Sequence, residues 1–130
     1  TALANDGWVV TPTIRKLDQP ERRRLFALTP EQMDGIRGAL AGVVSARGTA
    51  GSAAIQGVTI AGKTGTAQAP PQPDHAWFVG FAPAEKPQIV VATFIENGEH
   101  GYVAARLATK IMEAYLKRPA SVSEAVTVGN

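Results

Sequence analysis

Residues 57–68 read Gly-Val-Thr-Ile-Ala-Gly-Lys-Thr-Gly-Thr-Ala-Gln, and two ligand-binding spellings overlap in them. Gly57 to Thr64 spells G-x-x-x-x-G-K-T, a pattern in which backbone amides and a lysine cradle phosphates. Lys63-Thr64-Gly65 spells K-T-G and is followed by Thr66. On an exposed strand that set suits a ligand bearing a carboxylate. Lys63 supplies a positive charge. Thr64 and Thr66 supply hydroxyl hydrogen bonds. Gly65 carries no side chain, so an extended ligand could lie close to the backbone. Strand amides could then pair with a peptide laid along the edge.

The flanking residues separate the two spellings. A phosphate cradle needs a buried strand before it and a helix after it, with the helix N-terminus facing the charge. Here Val58-Thr59-Ile60-Ala61 are strand formers where a loop is required. After Lys63 the chain runs TGTAQAPPQP, and Gly65 with three prolines opposes a helix. Nucleotide binding therefore ranks last. The K-T-G reading fits a strand, but three common residues recur by chance, and a surface lysine before a turn is the ordinary explanation. The neighbouring elements must carry the argument.

Thr29-Pro30-Glu31-Gln32 predicts the start of a helix. Thr29 can cap, Pro30 suits the first position, and Gln32 completes a capping box. Met33, Ile36, Leu40, Val43 and Val44 continue it as an apolar stripe, and Gly48 is a natural stop. Residues 58–68, 75–83 and 88–97 read as three strands, the last two separated by a hairpin-like AEK flanked by prolines. Residues 102–117 predict an amphipathic helix with Val103, Leu107, Ala108, Ile111, Met112, Tyr115 and Leu116 on its apolar side. Upstream, residues 1–6 suggest the end of a helix closed by Asn5-Asp6-Gly7. WVVTPTIRKL suggests an extended segment with Pro12 at an edge. Residues 18–28 look irregular, with Arg22-Arg23-Arg24 as a solvated loop. Trp77, Phe78, Phe81 and Phe94 are expected in the core. Short connections favour an antiparallel sheet flanked by helices, an α+β fold.

Composition is compatible with that. The 130 residues suffice for one compact unit, and 45% hydrophobic with 18% charged residues is globular material. A net charge of +2 argues against a nucleic-acid partner. The absence of cysteine removes thiolate nucleophiles, disulfides and cysteine metal sites. No apolar stretch reaches the ~20 residues that span a bilayer. No metal or cofactor is expected, because His75 and His100 are the only histidines and neither has ligand-like company. The TALANDGWVVTP start looks like an internal cut in a longer protein.

In order along the chain, LANDGWVVTP, GTAGSAA, IAGKTGTAQ, HAWFVGFAP and PQIVVATFIENG followed by an amphipathic helix closely resemble the end of the transpeptidase domain of class B penicillin-binding proteins. The elongation-type penicillin-binding protein 2 group is the nearest in pattern. The resemblance covers residues 1–117 and leaves 118–130 as a C-terminal tail. It implies the C-terminal portion of a penicillin-binding/β-lactamase-like domain, with the K-T-G strand, two following strands and a closing helix. It implies part of a D,D-transpeptidase that cross-links peptidoglycan stem peptides ending in D-Ala-D-Ala through a serine acyl-enzyme, and that β-lactams acylate. By resemblance, Lys63 binds the ligand carboxylate and supports the field at the serine. Thr64 and Thr66 hydrogen-bond the ligand, Gly65 leaves room, and Gln68 lines the cleft. The Thr66 backbone N–H would be one oxyanion donor.

The family also uses S-x-x-K and S-x-N motifs. Neither occurs here: Ser45, Ser52, Ser121 and Ser123 lack a lysine three residues on, and none begins S-x-N. Thr13 precedes Lys16 by three but lies in an extended segment. The nucleophile is thus expected from another chain or segment, and these residues alone are expected to be inactive. The parent would be anchored to the inner membrane with this domain in the periplasm, paired with a membrane glycan polymerase. A serine β-lactamase or β-lactam sensor, and a non-catalytic binding module, stay open as alternatives. Asp74-His75 reads equally as a cleft rim or an exposed pair, and Glu96 and Glu99 read as surface charges.

Overall fold

The computed structural model describes residues 1–117. The tail expected at 118–130 lies outside the described residues. A 3-10 turn at Ala2–Asn5 leads into β1 (Trp8–Val10), which pairs antiparallel with β2 (Arg22–Arg24). The helix α1 (Pro30–Val44) follows, then a second 3-10 turn at Gly51–Ala53. The three-stranded meander β3 (Ala61–Ala69), β4 (Gln72–Ala82) and β5 (Ile89–Ile95) comes next, in that spatial order and antiparallel throughout. The helix α2 (Gly101–Leu116) closes the described chain. The expected α+β architecture is the observed one.

Local chemistry explains where α1 begins and ends. The Thr29 hydroxyl accepts the Gln32 N–H at 3.3 Å, while the Gln32 side-chain oxygen accepts the Thr29 N–H at 3.0 Å. This is the predicted capping box, with Pro30 in the first turn. The helix stops at Val44, four residues before the expected glycine. Ser45 leaves helical geometry, and its hydroxyl donates to the Gly42 carbonyl at 2.7 Å. Gly48 still shapes the exit, because a Cβ there would come within 2.2 Å of the Gly42 and Val43 carbonyl oxygens.

The sheet alternates as a half-covered strand layer should. On β4, Ala76, Phe78 and Gly80 are buried beneath α2, while Trp77 and Val79 point to the other face and are exposed. Phe78 and Met112 are fully buried at the centre of the main core, with Val91, Ala104, Ala105 and Ala108 around them. Gly62 and Gly80 flank the Phe78 ring: a Cβ on either would approach it to 2.3 or 2.7 Å. Thr93 is buried among apolar groups and donates its hydroxyl to the Ala104 carbonyl at 2.9 Å, tying β5 to α2. A second small core joins Ala4, Ala61, Phe81 and Ala84, with Leu3 and Leu40 packed against it.

Four expectations change. Trp77 and Phe94 are not core; they stack on the open sheet face, 42% and 48% exposed. Phe78 and Phe81 are core as expected. In α2 the buried stripe is Gly101, Ala104, Ala105, Ala108, Thr109 and Met112, since small residues let the helix lie close to the sheet. Leu107, Ile111 and Tyr115 form a neighbouring exposed stripe. The arginine run is a strand, not a loop: β2 pairs with β1, and Arg22 and Arg24 lie 5.0 and 5.8 Å from the Trp8 ring. Finally, β3 starts at Ala61, because Val58 is drawn into a tight turn against Ile55 with Gly57 at φ 76° and Ile60 turns into the core.

Candidate functional site

The K-T-G residues occupy the middle of β3, opposite Val79, Phe78 and Trp77 of β4. Among the described residues β3 has a strand on one side only, so its other edge presents main-chain groups free to pair with an added peptide. The chain passes from Gly57 through Lys63 along β3 and then into β4, with no helix between the lysine and β4. That rules against the phosphate-cradle reading on geometry.

Alternation along β3 divides the side chains between two faces. Lys63 and Gly65 share the open face with Val79 and Trp77, whereas Thr64 and Thr66 lie on the α2 side. Lys63 is exposed, and its Nζ donates to the Thr64 carbonyl at 2.7 Å, a contact that a ligand carboxylate can replace. The Thr64 hydroxyl lies 3.2 Å from the Thr49 hydroxyl. A Cβ on Gly65 would sit 3.3 Å from the Trp77 Cβ, so the glycine keeps this stretch of backbone bare. Thr66, the residue after Gly65, is exposed. Gln68, also exposed, lies at a ladder irregularity between Ala67 and Ala69, where strict pairing with β4 lapses.

The start of α2 abuts this strand. A Cβ on Gly101 would come within 2.8 Å of the Thr64 Cβ and 2.9 Å of the Gly65 carbonyl oxygen. The first turn of α2 carries no acidic residue, and its N-terminus, with the partial positive charge of a helix start, stands beside Thr64 and Gly65. Neither this loop nor Thr49 carries a ligand-binding pattern in the sequence. The closely spaced glycines of ENGEHG were the available signal for a tight approach.

The remaining candidates separate from the strand. His75 sits in β4 opposite Ala67, where its Nδ1 accepts the Asn97 N–H at 3.0 Å. His100 caps α2 without a side-chain hydrogen bond, 5.6 Å from the Tyr102 ring. Glu96 and Glu99 are exposed. Among the described residues no cluster of three or more His, Asp or Glu is placed to hold a metal. A groove of about 470 Å³ lined by Trp8, Arg22, Arg37 and Lys86 includes none of the K-T-G residues.

Residues 1–113 match the family model described as the penicillin binding protein transpeptidase domain. The peptidoglycan D,D-transpeptidase PbpA of Mycolicibacterium smegmatis is 37% identical over 111 residues, covering 74% of this chain and 22% of that protein. The chain spans 11% to 22% of the length of the curated relatives it matches. Among solved structures, the D,D-transpeptidase domain of a peptidoglycan glycosyltransferase from Eggerthella lenta superposes with a TM-score of 0.75 and 34% identity. It covers 96% of this chain and 31% of that one. Penicillin-binding protein A from M. tuberculosis, solved as an imipenem acyl-enzyme, gives 0.73 and 30%, covering 89% and 28%.

Proposed function

As the chain belongs to the penicillin-binding protein transpeptidase family, we propose that it supplies the K-T-G strand of a peptidoglycan D,D-transpeptidase. The observation that carries this reading is an exposed K-T-G on a sheet strand whose outer edge is open, in a chain whose relatives bear that activity in their names.

The stem peptide lies extended along the open edge of β3, where Lys63 reaches its terminal carboxylate from one face of the strand and the Thr64 and Thr66 hydroxyls border the ligand from the other. A serine from outside these 130 residues attacks the penultimate D-alanine carbonyl. The Thr66 N–H stabilises the developing oxyanion, and the terminal D-alanine leaves. An amine of a neighbouring stem then takes the acyl group. β-Lactams enter the same cleft and stay on the serine. Gly65 keeps the ligand path clear, and Gln68 lines its far end.

The rest of the transpeptidase domain packs against the open sheet face bearing Trp77, Val79 and Phe94, and against the Leu107–Ile111–Tyr115 stripe. Both surfaces are apolar beyond what scattered exposure explains. We also propose that the parent is membrane-anchored, acts outside the cytoplasm and pairs with a membrane glycan polymerase; the resemblance supports this. No helix among the described residues is long and apolar enough to cross a membrane.

The test is intact mass spectrometry of every polypeptide of the complete transpeptidase that carries this strand, before and after benzylpenicillin. A stable penicilloyl adduct that Lys63→Ala slows is the expected result. A folded sample that forms no adduct overturns the reading, and an adduct lost within a turnover points to a β-lactamase.

A further inference from the structure

The connection between β5 and α2 is unusually constrained. Asn97 and Glu99 both adopt positive φ, 53° and 60°. Asn tolerates the left-handed region, but glutamate visits it rarely. Glu99 is also the centre of a three-residue turn, closed by the His100 N–H donating to the Gly98 carbonyl at 2.6 Å. A turn of this kind with positive φ at its centre is rare and strained, and such geometry persists only where surrounding contacts hold it.

The ties come from the two residues 74 and 75. The Glu99 N–H donates to the Asp74 carbonyl at 2.8 Å, and the Asn97 N–H donates to the His75 Nδ1 at 3.0 Å. Accepting at Nδ1 leaves the neutral imidazole's proton on Nε2. The ring is itself fixed, meeting Phe94 edge-on with centroids 5.2 Å apart, and Phe94 stacks on Trp77 at 4.6 Å. Gly98 is pressed so closely on Ala76 that a Cβ would lie 2.9 Å from it. Two residues after Glu99 the same segment delivers Gly101 against Thr64 and Gly65.

We propose that His75 is a positioning residue for the K-T-G strand: through Asn97 it holds the 97–100 turn, and that turn holds Gly101 behind Thr64 and Gly65. The inference rests on the function proposed above. His75 touches no ligand on this view; it sets where the ligand-binding strand stands. Only a side chain with an acceptor at the Nδ1 position serves, since the Asp74 tie is made by backbone.

The experiment compares the complete transpeptidase with its His75→Leu and His75→Asn variants. The asparagine Oδ1 occupies the position of Nδ1 and can accept the Asn97 N–H. Leucine keeps the packing on Phe94 but accepts nothing, and His75→Phe replaces it should the leucine variant not fold. The second-order rate of acylation by benzylpenicillin falls about ten- to a hundredfold in His75→Leu, as slight misplacement of a site does. His75→Asn recovers it to near wild type. Hydrogen exchange of the backbone over residues 63–66 and 97–101 rises in His75→Leu and not in His75→Asn. Equal acylation and exchange in all three proteins overturns the proposal. So does a parallel loss in both variants that tracks their thermal unfolding, which would make His75 mere packing. Wild-type protein that is never acylated defeats the functional reading instead, and the exchange pattern still decides whether His75 positions the strand.

Discussion

Lys63 and Gly62 are neighbours in sequence and opposites in consequence. Lys63 is exposed, and its hydrogen bond goes to the carbonyl of the next residue, so the fold gains little from it. Lys63→Ala should therefore leave the unfolding midpoint nearly unchanged. It should slow β-lactam acylation by roughly ten- to a hundredfold, the value of one charge-assisted contact. Comparable rates in the two proteins would remove Lys63 from the site. Gly62 faces the core, and its Cα sits against the Phe78 ring. Gly62→Ala would drive a methyl to 2.3 Å from that ring. Overpacking of this kind costs about 1–3 kcal/mol, read by chemical denaturation. A neutral Gly62→Ala would mean that Phe78 has room to move that the packing does not show.

Among the elements, α1 tests the sequence most directly. Thr29→Ala removes the hydroxyl that accepts the Gln32 N–H and should cost about 1 kcal/mol. Glu31, in the first turn, has its pKa held below the usual 4.5, first by its own backbone N–H and then by the Thr29 side chain. A carboxylate with a depressed folded pKa stabilises the fold above its unfolded pKa, and that contribution is lost as pH falls through the folded value. The denaturation midpoint should thus decline below pH 4.5, and Glu31→Gln should weaken that decline by a small, salt-screened amount. An identical acid limb in both proteins would deny Glu31 this role. The cap was legible because its chemistry is local, written in four consecutive residues. The second and third strands were legible for the same reason, as short apolar runs, whereas the first was legible in part only, since Val58 and Ile60 that suggested it precede β3. Three features were not. Trp77 and Phe94 read as core by type, yet which face of the meander α2 covers is decided by long-range packing. The Leu107–Ile111–Tyr115 stripe was merged with the true α2 interface because both are apolar and adjacent on the helix. The pairing of Arg22–Arg24 with Trp8–Val10 needs a partner more than ten residues away. At the site, the K-T-G motif was read directly, whereas Gly101 and the His75–Asn97 tie arise only when β4, β5 and α2 meet.

At the scale of the molecule, the exposed apolar surface sets the behaviour of the chain. One patch is the open sheet face with Trp77, Val79, Val90 and Phe94; another is the α2 stripe of Leu107, Ile111 and Tyr115. These are large side chains grouped on regular elements, the kind of surface that a soluble monomer rarely leaves uncovered. Burying such a side chain yields about 1.5–3 kcal/mol, so each patch has a substantial drive to be covered. The 130-residue chain by itself should therefore associate, and sedimentation velocity should show species heavier than the monomer that grow with concentration. Leu107→Glu with Ile111→Lys should reduce that association while leaving the far-ultraviolet circular dichroism and unfolding cooperativity intact, because neither side chain belongs to the Phe78–Met112 core. Placed in a complete transpeptidase, the same pair should do the reverse and lower its unfolding temperature, since there the stripe is covered by the rest of the domain. A 130-residue chain that stays monomeric and melts cooperatively, or a complete enzyme indifferent to both substitutions, would show that these patches face solvent in the working protein. The packing proposed for the rest of the domain would then have to be abandoned.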